Sequence, residues 1–337
     1  MAASPVLFVS YSGVLGGAER VLLDAVTRME RPPVVACPDG QLAHALRRAG
    51  IEHAPTSRRP LQRGPAHLKG IAGLALDIRR LKPSFVVAWG ARAVLAAAPS
   101  GRPWLAVHHD LQPNAKLRAA LRATTRRANG VVAASHAIAR DLGLEQATIL
   151  HPGVDLDRFS PRPLPPRPPR ALVLGALVAW KRPGLALEIA RHLPELHITI
   201  AGTTLPGDDG ALETRLRRQA GPQVELAGAV ADVAGALADA HLLLHCADAE
   251  PYGMALVEAL AAGRPVVAPS AGGPVEIVQD GAGRLYPPGD AIAAAEAIEA
   301  ILQDPDAPAN ARRRAETHFD VVASTRRLEA TIEAAQR

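Results

Sequence analysis

Short apolar runs alternate with longer segments rich in alanine, leucine and arginine along the whole chain. Uninterrupted apolar runs of this kind are typical of strands buried on both faces of a parallel sheet, and each is followed by enough chain for a crossover helix. The alternation predicts an α/β fold with a mostly parallel sheet. In the first half of the chain we predict strands at Val6–Ser10, Val34–Cys37, Phe85–Trp89, Trp104–Val107 and Val131–Ala134.

The alternation stops at residues 160–170, a segment that contains six prolines. Proline at this density excludes helix and stiffens the chain, so we predict an interdomain linker over residues 161–170. The alternation then resumes, with predicted strands at Ala171–Leu174, Leu196–Ala201, Val224–Leu226, His241–His245 and Arg264–Ala268.

We therefore expect two doubly wound, Rossmann-like domains that face each other across a cleft. Ligands of such sheets bind beyond the carboxyl ends of the strands, so the loops that follow the strands are the candidate sites. The predicted division is an N-terminal domain over residues 1–160, the linker, a C-terminal domain over residues 171–310, and a helical tail over residues 311–337 that packs back toward the N-terminal domain.

Composition restricts the class of protein. The 337 residues are 48% apolar and 21% charged, as in soluble globular proteins of two domains. Cys37 and Cys246 are too few for a disulfide framework or a cysteine-type zinc site. The sequence lacks both an apolar run of membrane-spanning length and, at its start, a basic segment followed by an apolar stretch. We expect a cytoplasmic protein, at most peripheral to the inner face of the membrane.

The net charge of +5 is unevenly distributed. Residues 1–170 contain 24 basic and 11 acidic side chains, whereas residues 171–337 contain 14 and 22. All but four of the 38 basic residues are arginine, which the coding bias of a GC-rich genome explains. The abundance of arginine is therefore no evidence for a nucleic-acid partner, and we expect none.

The segment Lys116–Arg127 places Arg118, Arg122 and Arg126 on one helical face, beside leucines. This basic face either attaches the N-terminal half to an anionic membrane or belongs to a solvated outer helix whose leucines lie in the core.

A glycine-containing loop, residues 12–20, follows the first predicted strand and leads into a helix. Gly16 and Gly17 let the backbone approach a ligand closely, and the helix start offers free N–H groups to an anion. The loop is either a cradle for a phosphate or a tight turn without a ligand. The dinucleotide and P-loop glycine patterns are both absent.

A second candidate segment covers residues 250–268. We predict a helix over Tyr252–Ala262, with Glu250 just ahead of its start and Glu258 about two turns further along. The amides at the helix start can face an anion, and a carboxylate ahead of them can accept hydroxyl protons of a sugar. The alternative for both glutamates is exposure to solvent. The amides concerned are those of Gly253, Met254 and Ala255.

These residues resemble the E-x7-E region of retaining glycosyltransferases of the GT-B fold, and more narrowly glycosyltransferase family 4, also called glycosyl transferases group 1. Residues 151–161 resemble the family's interdomain motif P-N-G-V-D-x-x-x-F-x-P, and residues 174–183 resemble the start of its donor domain. The resemblance also includes the first glycine loop, Gly16-Gly17-Ala18-Glu19, and the stretch Gly272-Gly273-Pro274-Val275-Glu276.

The resemblance implies transfer of a sugar from a nucleotide diphosphate sugar, with retention at the anomeric carbon and with neither a metal nor a cofactor. Lys181 would contact the diphosphate, Glu258 the ribose hydroxyls and Glu250 the hydroxyls of the donor sugar. The amides of Gly253, Met254, Ala255, Gly272 and Gly273 would hold the phosphates or the sugar, and Gly16 and Gly17 of the other domain would close on the diphosphate. Glu276 lies where the family has an acidic residue near the donor site.

The sequence departs from the family at Ala176, where an arginine commonly pairs with the lysine on the diphosphate. Arg182 is the predicted substitute, unless its side chain points to solvent. On the acceptor side, the resemblance makes His109 a catalytic residue that either takes the acceptor's proton or hydrogen-bonds a donor hydroxyl. The alternative is a capping or core-edge histidine. A metal site of His108, His109 and Asp110 is disfavoured, because neighbouring residues of a strand point to opposite faces.

We expect a hexosyltransferase that uses a UDP or GDP sugar and a small natural product, a lipid or a glycan as hydroxyl acceptor. Two alternatives stay open. One is epimerisation or hydrolysis of a nucleotide sugar on the same fold, and the other is a sugar-nucleotide-binding protein that has lost activity.

Overall fold

A computed structural model of the chain describes residues 6–57, 65–205 and 208–337, with only the backbone of residues 65–67. The described residues form two compact units, one ending at Gly153 and completed by Val321–Arg337, the other spanning Val154–Asp320. Residues 1–5, on which part of the expectation about an N-terminal leader rests, lie outside the described residues. Among the described helices, none combines the length and the apolar character needed to cross a membrane.

The first unit is built on a seven-stranded parallel sheet in the order β3-β2-β1-β4-β5-β6-β7. Its strands are β1 (Val6–Ser10), β2 (Val34–Pro38), β3 (His53–Thr56), β4 (Phe85–Trp89), β5 (Trp104–His108), β6 (Gly130–Ala133) and β7 (Thr148–Ile149). Its helices include α1 (Gly17–Val26), α2 (Gln41–Arg48), α3 (Pro65–Leu81), α4 (Ala91–Ala97), α5 (Ala115–Thr125) and α6 (His136–Leu142), with a 3-10 turn at Ala98–Ser100.

The second unit is built on a six-stranded parallel sheet in the order β10-β9-β8-β11-β12-β13. Its strands are β8 (Arg170–Leu174), β9 (His197–Ala201), β10 (Val224–Gly228), β11 (Leu242–Leu244), β12 (Val266–Pro269) and β13 (Gly283–Tyr286). Its helices are α7 (Leu185–His192), α8 (Ala211–Gln219), α9 (Val233–Ala238), α10 (Met254–Ala261), α11 (Pro274–Ile277), α12 (Ala291–Gln303) and α13 (Ala307–His318), with a 3-10 turn at Ala179–Lys181.

Both sheets are doubly wound, which confirms the predicted fold class. All ten predicted strands are present, with ends that differ by no more than two residues. The prediction missed β3, β7 and β13, which lie at edges of the two sheets. Edge strands are covered on fewer sides, so their sequences lack the uninterrupted apolar run that marks the central strands.

The boundary between the units differs from the predicted one. The second unit begins at Val154, so the proline-rich residues 161–170 belong to it and do not form a linker between the units. Arg264 explains this placement, because its guanidinium donates to the carbonyls of Arg162 at 3.0 Å and Pro163 at 3.2 Å. The buried guanidinium of Arg264 therefore attaches the start of the proline-rich segment to the second unit.

The predicted tail is divided between the units. Helix α13 stays in the second unit, and the chain passes into the first unit only at helix α14 (Val321–Gln336). Leu328 and Ile332 of α14 join the apolar core of the first unit, whose centre includes Phe8 and Val107.

Arg264 provides a test of this boundary. The side chain is 1% exposed and also donates to the carbonyls of Leu237 at 3.0 Å and Ala238 at 3.1 Å. We expect Arg264→Met, which keeps apolar volume but removes the donors, to lower the free energy of unfolding by about 3 kcal/mol, because each buried carbonyl left without a partner costs about 1–3 kcal/mol. Urea denaturation measures the change, and the exposed Arg191→Met is the matched control. Equal midpoints for the two variants would contradict the assignment.

Candidate functional site

The order of the second sheet reverses between β8 and β11, at its centre. Doubly wound sheets bind their ligands beyond the carboxyl ends of the strands at this switch point. The residues that follow the two strands are Gly175 after β8 and His245 after β11. Both therefore lie at the position where a ligand is expected.

Lys181 ends the 3-10 turn that follows β8, and its side chain returns over the end of that strand. A Cβ atom added to Gly175 would lie only 3.2 Å from Lys181 Nζ, and Gly175 has a φ of +148° that favours glycine. The ammonium of Lys181 lies 3.3 Å from Glu250 Oε2. The structure thus brings two of the predicted catalytic residues together in an ion pair.

Glu250 is a buried carboxylate, 9% exposed. Burial raises the pKa of its carboxyl, but the adjacent His245 imidazole and Lys181 ammonium outweigh burial and hold the pKa below its ordinary value. The side chain is therefore ionised at neutral pH. An anion at this depth is stable only because donors surround it.

His245 is a site residue that the sequence analysis missed. Its Nε2 lies 3.2 Å from Glu250 Oε2, at an orientation that does not align into a hydrogen bond, and the ring is buried. In the sequence, His245 ends an apolar run, the predicted strand His241–His245. A titratable residue at the carboxyl end of a central strand was the available signal.

The two glycines at 272 and 273 allow two backbone segments to pack closely. A Cβ atom at Gly272 would lie 2.2 Å from the Glu250 carbonyl oxygen, and one at Gly273 would lie 2.2 Å from that of Tyr252. The N–H of Gly273 already donates to the Glu250 carbonyl at 2.8 Å. The Gly273 amide is therefore engaged within the chain, while the predicted contact of the Gly272 amide with a phosphate or sugar stays a prediction. Glu276 lies half-buried in α11.

Helix α10 begins at Met254, with Gly253 as its N-cap at a φ of +115°. The carbonyl of Gly253 accepts from the N–H of Leu256 at 3.0 Å, which closes the first turn. Met254 and Ala255 open this turn, where backbone N–H groups have no partner within a helix. Glu258 lies further along α10 and is half-buried among buried neighbours, so it is not a simple surface residue.

Arg182, the predicted substitute for an arginine at position 176, is ion-paired elsewhere. Its Nη1 lies 2.8 Å from Asp248 Oδ1, and the guanidinium packs on Gly289. The residue has a φ of +45°, which turns the chain sharply after Lys181. The guanidinium is therefore engaged by a carboxylate, and Ala176 itself carries no charge.

Gly16 and Gly17 lie at the start of α1 in the first unit. The side chain of Glu19 turns back over this start, because a Cβ atom at Gly16 would lie 2.9 Å from Glu19 Oε2. Burial raises the pKa of Glu19 and the nearby Asp110 raises it further, while the backbone N–H groups of Glu19 and Gly16 lower it. The protein's own carboxylate thus occupies part of the predicted phosphate cradle.

His109 follows β5 and stacks on Trp89, with ring centroids 4.4 Å apart. Its Nε2 is buried and has no hydrogen-bond partner among the residues that the structure describes. Together with Thr325 of α14, the His109 side chain lines a small cavity of about 20 Å³. Burial, with a smaller contribution from His108, lowers the pKa of His109 to about 3. The imidazole is therefore neutral at physiological pH and a weak base.

The predicted absence of a metal site concerns the same strand. The side chain of His108 is buried, and its Nε2 lies 3.0 Å from Thr125 Oγ1. Within the described ranges, the histidine, cysteine and acidic side chains form no group of three or more placed to hold a metal ion.

Comparison with known proteins agrees with the two-unit division. Residues 157–318 match the family model described as glycosyl transferases group 1, and residues 15–158 match the model described as glycosyltransferase family 4.

Curated relatives match the chain over part of their length. The D-inositol 3-phosphate glycosyltransferase of Mycobacterium sp. (strain KMS) is 30% identical over 186 residues, which are 50% of this chain and 42% of that protein. The phosphatidyl-myo-inositol mannosyltransferase of Mycolicibacterium smegmatis is 34% identical over 168 residues, 45% of this chain and 42% of that protein. The matches thus span less than half the length of these relatives.

Solved structures match over nearly the whole chain. The Anabaena protein HepE in complex with UDP and glucose has a TM-score of 0.84 at 23% identity, covering 98% of this chain and 99% of HepE. Sucrose-phosphate synthase from Thermosynechococcus elongatus has a TM-score of 0.82 at 18% identity, covering 97% and 98%. This likeness confirms the GT-B fold. The two successive family models together match residues 15–318, so both units of the chain are similar to glycosyltransferase domains of these two descriptions.

Proposed function

We propose that the protein transfers a hexose-type sugar from a nucleotide diphosphate sugar to a hydroxyl acceptor, with retention at the anomeric carbon and without a metal or other cofactor. The observation that carries the proposal is the Lys181–Glu250 ion pair at the switch point of the second sheet. It combines a cation for a diphosphate with a carboxylate for sugar hydroxyls at one place.

The leaving diphosphate gains negative charge as the sugar bond breaks, and catalysis requires preorganised positive groups beside it. Lys181 supplies the charge, and the start of α10 at Gly253, Met254 and Ala255 supplies oriented amides. Arg182 is held by Asp248, so we assign it to shaping the loop after Lys181 and not to the diphosphate. Glu258, four residues into the same helix as Met254, binds the ribose hydroxyls.

His109 contributes by hydrogen bonding and not as a base. A group with a pKa of about 3 takes up a proton poorly at neutral pH, whereas a neutral imidazole donates or accepts a hydrogen bond well. We therefore assign to His109 the hydroxyl-binding role. The acceptor hydroxyl attacks the anomeric carbon on the face from which the diphosphate departs, and its proton passes to the departing phosphate oxygen as the bond from the sugar to that oxygen breaks. In the first unit, Gly16 and Gly17 stay proposed phosphate-binding residues at the start of α1.

UDP is the donor nucleotide that we propose first, because HepE binds UDP and UDP-glucose, with GDP as the second candidate. The acceptor is a small natural product, a lipid or a glycan. The names of two relatives indicate inositol-based acceptors for those proteins, and the excess of basic residues over residues 1–170 suits an anionic acceptor here.

Nucleotide binding tests the site. We expect Lys181→Ala and Glu258→Ala to weaken UDP binding by about tenfold to 100-fold, because hydrogen bonds to charged groups contribute about 1.5–3 kcal/mol. Isothermal titration calorimetry measures the affinity, and the exposed Arg191→Ala is the control. Wild-type affinity in both variants, with unchanged thermal unfolding, would contradict the assignment.

Sugar transfer tests the reaction. The protein is incubated with radiolabelled UDP-glucose or GDP-mannose, with and without candidate acceptors, in buffer and in excess chelator. We expect sugar release only when an acceptor is present, an α-linked product from the α-linked donor, and no change on chelation. Release without acceptor would indicate hydrolysis, binding without release an inactive protein, and loss on chelation a metal-dependent reaction.

We further propose that the protein is cytoplasmic and that its first unit contacts an anionic membrane. The basic face of α5 does not carry this proposal, since Arg118 and Arg122 donate to the carbonyls of Gln112 and Leu142 and Leu121 is buried. Helix α3 supports it instead. Leu68 is 71% exposed and Leu76 50% exposed on this helix. The same stretch of chain carries the exposed cations Lys69, Arg80 and Lys82.

Vesicle flotation tests the membrane contact. We expect binding to phosphatidylglycerol vesicles and not to phosphatidylcholine vesicles, and about tenfold weaker binding for Leu68→Gln or Leu76→Gln, because burying a leucine contributes roughly 1.5–3 kcal/mol. Ile292→Gln, an exposed apolar residue on α12 of the acidic half, is the matched control. Equal flotation of all variants would refute a contact through α3.

A further inference from the structure

One oxygen of the Glu250 carboxylate faces two nitrogen donors that come from different loops of the second unit. Lys181 Nζ lies 3.3 Å from Oε2, and His245 Nε2 lies 3.2 Å from the same oxygen. Because an ionised carboxylate only accepts hydrogen bonds, the ring hydrogen of His245 that faces it belongs on Nε2. The two donors thus face the same acceptor atom, which can accept from both at once.

His245 is the fixed member of this pair. Its backbone N–H donates to the Val267 carbonyl at 2.8 Å, and its own carbonyl accepts from the Tyr286 hydroxyl at 2.7 Å. The ring is 5% exposed, and its Nε2 has no aligned hydrogen bond within the part of the chain that the structure describes. A buried donor is therefore held beside Glu250 and is not fully used.

Lys181 is the movable member. Its side chain is 23% exposed, and its flexible four-carbon stem starts from the end of a single 3-10 turn. If the ammonium moves to a diphosphate, Glu250 loses one of its two donors while its carboxylate stays buried. An unpaired buried carboxylate is strongly unfavourable, so this movement would be opposed unless another donor compensates.

We propose that His245 is a positioning residue that retains the Glu250 carboxylate when the Lys181 ammonium moves to the diphosphate of the donor. The inference rests on the proposed function, because it requires a nucleotide diphosphate beside Lys181. In the free protein, Lys181 is ion-paired with Glu250 beside the proposed diphosphate position. In the complex, after Lys181 has left, His245 Nε2 donates a hydrogen bond to Glu250 Oε2. This bond keeps the carboxylate oriented toward the sugar.

The test is a double-mutant cycle read by UDP binding, which needs no acceptor. We expect His245→Leu to weaken UDP binding about tenfold or more, because Lys181 then leaves an unpaired carboxylate, and His245→Gln, whose amide can donate to Oε2, to restore affinity to within about threefold. In a Glu250→Gln background, which has no carboxylate to retain, His245→Leu should change UDP affinity less than about twofold. His245→Asn, polar but too short to reach Oε2, repeats the test if the leucine variant folds poorly.

The outcomes separate the two proposals. If His245→Leu lowers UDP affinity equally in both backgrounds, the histidine only supports the fold. If all variants bind UDP with equal affinity, the histidine has no role. Either result overturns the inference and leaves nucleotide binding in place. If the wild-type protein binds neither UDP nor GDP, the proposed function and this inference are both overturned. The exposed His197→Leu is the matched control in calorimetry and thermal unfolding.

Discussion

The buried Glu250 carboxylate beyond the strand ends of the second sheet requires nitrogen donors beside it, and this requirement positions its neighbours. Glu250 is ionised in spite of its burial because Lys181 and His245 both face the same oxygen. A buried charge must be paired. Both the 3-10 turn that ends at Lys181 and the residue after β11, His245, must therefore lie beside Glu250. The same pairing places the Lys181 ammonium where we propose that the diphosphate binds.

Backbone packing imposes the second constraint on this region. The segment at 250–252 lies against Gly272 and Gly273 so closely that no side chain fits at either position. This contact fixes Glu250 from its main chain, while Lys181 and His245 act on its side chain. The glycine pair thus supports the site by holding the acidic residue in place, and the family motif has a structural reason here that is independent of ligand binding.

Central and edge strands differed in how well the sequence predicted them. Strands such as Phe85–Trp89 are buried along their whole length and appear as continuous apolar runs, so the pattern identifies them. The edge strand His53–Thr56 contains a proline and only one buried residue, and such a pattern is also typical of a loop. The prolines of residues 161–170 misled in the opposite direction. They predicted a linker, but a distant arginine, Arg264, binds the carbonyls of this segment and joins it to the second unit.

The sequence by itself determined the alternating α/β order, the two parallel sheets and the motif glutamates, because these depend on local apolar patterns and on residues close together in the chain. Only the tertiary structure decided which side chains meet. Glu250 lies 69 positions from Lys181 in the chain, and the fold alone places them 3.3 Å apart. Arg182 binds Asp248, the Gly273 amide donates to the Glu250 carbonyl, and the His109 ring packs on Trp89. Each of these outcomes depends on burial and on contacts between distant segments, which a motif does not encode.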